Sequence, residues 1–163
     1  MTRPGPALLL AAAVLVAAVA SVLAAGCGGG SSEPATTAEV QQEVVTARNR
    51  VDFAFQRMKR AESLDDLLDR MSEASDNIGD AASDLDDVNA PEPFTEEFDN
   101  LAAALEQLSV DLGATASDLE NPEFLESFAS GAQGISFESW EQANAALAAL
   151  NELGIEVDQL ERY

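Results

Sequence analysis

Seven carboxylates, Asp65, Asp69, Glu73, Asp76, Asp80, Asp84 and Asp87, follow one another at spacings of three and four. On a helix that spacing stacks them along one face. Hard cations accept carboxylate oxygens, so the middle rungs Asp76, Asp80 and Asp84 form a candidate face for weak, exchangeable binding of calcium or magnesium. A straight helix cannot wrap an ion, and the Asp-x-Asp-x-Asp-Gly spacing of a calcium loop occurs nowhere in the chain. The alternative is a solvated face. Like charges at these spacings cost about 0.2–0.5 kcal/mol per pair, whereas each large apolar residue buried on the opposite face contributes about 1.5–3 kcal/mol. Burial therefore outweighs the repulsion, and the expectation is charge without a metal cage.

Other chemistry is limited by what the chain lacks. It has no histidine, which removes the commonest general base and the commonest metal ligand together. It also has no nucleophile elbow, phosphate-cradling glycine loop or Ser-x-x-Lys. Paired carboxylates suit glycoside hydrolysis, but among 30 acidic residues some pair always fits, so the signal has no specificity. Neither a catalytic residue nor a cofactor is expected. A formal net charge of -22 repels nucleic acid and anionic headgroups alike. The few basic residues cluster early, at Arg48, Arg50, Arg57, Lys59, Arg60 and Arg70.

A second candidate is aromatic. Phe124, Phe128, Phe137 and Trp140 crowd a stretch interrupted by Gly131 and Gly134, and a broken helix lined with rings can form a pocket between bundle helices. The competing reading is core at a bend. Phe53 falls nearly opposite the apolar stripe of its own helix, which makes it a candidate contact point, although single exposed apolar residues are ordinary.

The single cysteine has a distinctive neighbourhood. Arg3 precedes a small-apolar run from Ala7 to Ala25 that ends in Gly26-Cys27, a signal-peptide layout. Leu23-Ala24-Ala25-Gly26-Cys27 resembles the lipobox of bacterial lipoproteins, with Ala24 where a leucine is more usual. The resemblance covers residues 1 to about 30. It implies a thiol that receives a diacylglyceryl group before cleavage, and so lipidation of Cys27. The alternative is an uncleaved anchor, because a run of about 19 residues is nearly long enough to span a bilayer. Both readings place the rest of the chain outside the cytoplasm, since Arg3 favours the inner face.

These features set the division of the chain: residues 1–26 as signal peptide, 27–35 as lipidated cysteine and flexible tether, and 36–163 as one domain that folds by burial alone. Val40, Val44, Ala47, Val51, Ala54, Phe55, Met58 and Ala61 mark a first helix. The phase breaks near Glu62 and Ser63, with Ser63 as N-cap and Asp66 at the third helical position. Leu64, Leu67, Met71, Ala74, Ile78, Ala81, Leu85 and Val88 mark a second helix, stopped by Pro91 and Pro93. Phe94, Phe98, Leu101, Leu105, Leu108, Leu112, Thr115 and Leu119 mark a third. Trp140, Ala143, Leu147 and Leu150 mark the last, with Gly154 as C-cap and Ile155, Val157 and Leu160 docking the tail.

Residues 79–86 and 113–120 match at Gly, Ala-Ser-Asp, Leu and a final acid, and their stripes superpose. Duplication and chance are both open in so Ala- and Asp-rich a chain. The fold expected is all-α, an up-down antiparallel bundle of about four helices, the last broken near Gly131-Gly134. The function expected is a lipid-anchored, extracytoplasmic interaction module. Its partners are the cell membrane, through the anchor, and an envelope protein. The alternative is a lipoprotein that binds a small ligand or a divalent cation.

Overall fold

The computed structural model describes residues 33–121, 123 and 137–161. Four described helices belong to one compact unit, Ser31–Tyr163: α1 (Thr37–Lys59), α2 (Leu64–Asp86), α3 (Thr95–Leu119) and α4 (Glu138–Glu152). The all-α bundle anticipated from the sequence is what forms, with no strand among the described residues. Cys27, Phe124, Phe128 and the Gly131-Gly134 interruption lie outside them.

Each helix end is written locally. At the start of α1, the Glu39 N–H donates to Thr36 Oγ1 at 3.3 Å, and the Thr36 N–H donates back to Glu39 Oε2 at 2.7 Å, a reciprocal capping box. At the start of α2, the Asp66 N–H donates to Ser63 Oγ at 3.1 Å, as the spacing predicts. Asp66 then accepts from the Glu62 N–H and from Arg70 Nε, and Arg70 Nη1 donates to the Arg57 carbonyl. One carboxylate thus ties the α1–α2 corner from both sides. Helix α4 ends as the sequence suggests. Gly154 has φ +99, its N–H donates to the Asn151 carbonyl, and the Ile155 N–H donates to the Leu150 carbonyl, the paired bonds of a Schellman turn.

Most of the predicted stripes become the core, but Leu64 at the head of the α2 stripe is exposed and Ala61 lies beyond the end of α1. Val44, Ile78, Leu108, Leu112, Leu150 and Ile155 have no exposed surface. Helix directions follow from the cross-helix pairs. Arg50 pairs with Asp84 and Arg57 with Glu73, so α1 and α2 run in opposite directions. Between α2 and α3, Ser75 Oγ donates to the Ser109 carbonyl at 2.8 Å and Ser109 Oγ donates to the Ser75 carbonyl at 2.7 Å. A Cβ on Gly79 would lie 3.1 Å from Ser109 Oγ, and one on Gly113 would lie 3.3 Å from Ser75 Oγ. These residues stand 34 apart in sequence, the offset of the internal match, and their contacts are reciprocal. Ser75 and Gly79 of α2 therefore meet Ser109 and Gly113 of α3 about a local twofold axis, each glycine leaving room for the serine opposite it.

Helices pack in chain order: α1 on α2, α2 on α3, and α3 on α4. Helices α1 and α4 have no close backbone approach to each other. The seam between them is filled by the C-terminal tail, whose Ile155 and Leu160 are buried, and is bridged by an edge-on contact of Phe55 with Trp140 at 4.7 Å between ring centroids.

Candidate functional site

All seven ladder carboxylates are exposed, but two rungs are already used. Glu73 and Asp84 each meet an α1 guanidinium at 2.5 Å. The early clustering of arginine thus has a structural use: it neutralises part of the ladder and braces α1 on α2. Of the candidate cation face, Asp84 is held by Arg50, while Asp76 and Asp80 are exposed on the same helix. Among the described residues, no three His, Cys, Asp or Glu side chains converge so as to hold a metal ion. Pairs with both partners about half exposed are worth little individually, of order 0–1 kcal/mol.

Between these braces lies a shallow, solvent-open depression lined by Arg50, Phe53, Ala54, Arg57, Ala74 and Asn77 among others. Phe53 is 62% exposed, as its position off the stripe predicts. The Arg57 guanidinium stands 6.0 Å from the ring centroid, a cation–π distance. Aromatic surface beside arginine is the composition enriched at protein–protein contacts.

Trp140 is buried and Phe137 half-buried against the core. The ring partner of Trp140 is Phe55, which the sequence offers as an ordinary stripe residue. Of the four aromatic candidates, Phe137 and Trp140 belong to the described core, and Phe124 and Phe128 lie outside the described residues.

The polar site that sequence reasoning missed is in the α1–α4 seam. Asp52 is only 5% exposed and accepts from Arg48 Nη1 at 2.9 Å and from the Glu161 N–H at 3.3 Å. Arg48 Nη2 donates to the Gln159 carbonyl at 3.0 Å, and Arg48 Nε is buried without a hydrogen-bond partner. From α4, Asn144 Oδ1 accepts from the Leu160 N–H at 2.7 Å, and Asn151 Nδ2 donates to the Val157 carbonyl at 2.9 Å. Burial raises the Asp52 carboxyl above its ordinary value, against the lowering effects of the Glu161 N–H and Arg48. The available signal was the Arg48/Asp52 spacing of four beside the apolar stripe, together with three apolar tail residues in need of a berth.

Chemically, the seam binds extended backbone. It has two buried apolar tail residues, Ile155 and Leu160, and polar side chains that meet main-chain donors and acceptors. Comparison of the chain with protein-family models, with curated proteins and with solved structures finds no match in any of the three.

Proposed function

We propose that the chain is an exported lipoprotein whose helical domain is a non-enzymatic interaction module, held by Cys27 at the outer face of the cell membrane. The observation that carries this reading is Leu23-Ala24-Ala25-Gly26-Cys27, placed after an apolar run and before Gly28-Gly29-Gly30-Ser31-Ser32. A thiol in that position is a lipid acceptor followed by a flexible leash, and two or more acyl chains make a stable anchor. No helix among the described residues is long and apolar enough to cross a membrane; the proposed attachment is through the N-terminal segment. An envelope protein is the proposed partner. The exposed Phe53 beside Arg57 is the proposed contact.

The test is fractionation of the full chain and of Cys27→Ser, with intact mass measured for both. The expected result is membrane association with an acyl mass increment, and loss of that increment in the serine variant. Membrane association of Cys27→Ser at unchanged mass identifies an uncleaved anchor and ends the lipoprotein reading. Crosslinked envelopes are then probed with the wild type and with Phe53→Ser. The module reading expects a defined partner that the serine variant loses.

A further inference from the structure

The C-terminal tail is bound as a ligand is bound. It leaves α4 through the left-handed turn at Gly154 and returns along that helix, Val157 meeting Asn151 and Leu160 meeting Asn144. On its other side it runs in the direction of α1, Gln159 meeting Arg48 and Glu161 meeting Asp52. All four of these hydrogen bonds join a side chain of a helix to the backbone of the tail, so they read an extended main chain more than a particular sequence. Side-chain recognition comes from two buried anchors, Ile155 and Leu160, five positions apart. Across the tail, α1 and α4 have no close backbone approach and touch through the edge-on rings of Phe55 and Trp140. Ile155 and Leu160 share one buried cluster with the apolar stripes of α1 and α4.

From this geometry we propose that residues 155–161 are a self-ligand: a strap that occupies an extended-peptide groove between α1 and α4 and leaves before a partner's segment enters. The partner segment has a stated chemistry. It is extended, carries aliphatic residues at two positions five apart, and presents free backbone groups to Asp52, Arg48 and Asn144. The strap is an autoinhibitory contact, with Gly154 as the hinge about which it swings. A partner entering this groove rests on the interaction-module reading; release of the strap does not, and is read on the chain alone.

Two measurements test the proposal. In the wild-type protein, hydrogen exchange at the Leu160 and Glu161 amides is expected to proceed at least tenfold faster than at the α3 core amides and to be insensitive to low denaturant, as for a local opening. Exchange of the tail only together with the core overturns the strap. In the second, Ile155→Ala/Leu160→Ala removes both anchors without altering α1 or α4, and a labelled synthetic peptide of residues 153–161 is added to it and to the wild type. The double variant is expected to stay helical and bind the peptide saturably, while the wild type, already occupied, binds at least tenfold more weakly. Loss of helical structure in the variant shows that the tail is integral core, and a folded variant that ignores the peptide shows that there is no groove; either result overturns the proposal. Neither depends on the membrane fractionation or the Phe53→Ser experiment, so failure here is distinct from failure of the tethered-module reading.

Discussion

Asp52 is a carboxylate kept in a place that does not suit its charge. Burial raises its pKa above the ordinary 3.8, so the folded chain holds that proton more tightly than the unfolded chain does. Ionised Asp52 therefore subtracts from stability at neutral pH, and the deficit shrinks as the pH falls through its folded value towards 3.8. Two helix-start carboxylates behave oppositely, exposed Glu39 and half-buried Asp66. The backbone N–H of Thr36 chiefly lowers Glu39 below 4.5, and the hydrogen bond from Arg70 chiefly lowers Asp66 below 3.8. Their contributions are present above those ordinary values and fade as the pH falls through the depressed ones. Carboxyl-carbon NMR titration should thus give Asp52 a midpoint above 3.8 and Asp66 one below it, and the reverse order would contradict the burial argument. Asp52→Ala strands Arg48, whose side chain is 16% exposed. The loss is expected near the low end of the range for a broken buried pair, about 3 kcal/mol, measured by denaturant unfolding.

At the scale of elements, the α2–α3 contact makes a conditional prediction. Alanine in place of a mid-helix glycine gains about 1 kcal/mol of helix propensity. At Gly79, however, the new Cβ meets Ser109 Oγ at 3.1 Å, and that oxygen is held by its 2.7 Å bond to the Ser75 carbonyl. Gly79→Ala alone is expected to be neutral or destabilising, whereas in a Ser109→Ala background the same change should stabilise by about 1 kcal/mol. A thermal-unfolding double-mutant cycle reads the difference, and equal effects in both backgrounds would remove the close contact from the account. The sequence made these elements legible where signals were local and periodic. The Ser63/Asp66 cap, the α2 stripe and the Gly154 turn all follow from residues within four positions of each other. The reciprocal Ser75/Ser109 bonds and the berth of the tail join residues 34 and more than 100 apart. No periodicity encodes such distances. The internal match at offset 34 was visible, but its meaning as a packing axis emerges only once the two helices lie antiparallel.

The whole molecule carries a formal charge of -22, and its response to ions separates screening from binding. With Asp84 taken by Arg50 and no enclosing geometry at Asp76 and Asp80, calcium should raise the melting temperature no more than sodium chloride of equal ionic strength. At about 0.15 M salt the Debye length is already roughly 8 Å, short enough to soften repulsion along the ladder. A saturable calcium effect well beyond that of sodium, lost in Asp76→Asn/Asp80→Asn/Asp84→Asn, would make cation binding the leading function. At this scale the sequence was least informative about the site. Composition announced an acidic surface, but which acids are free and which are braced by arginine depends on how α1 and α2 are aligned.

The local twofold axis between α2 and α3 gives one chain the contact plan of a symmetric dimer, in which a patch meets its own image. In a true homodimer each substitution at such a patch is made twice and meets itself across the axis. Here a change at position 75 meets an unaltered 109, so one half can vary while the other compensates. The pairs 34 apart reflect that latitude. Serine and glycine are the same in both halves where the halves face each other, whereas the buried positions Ala74 and Leu108 differ in size.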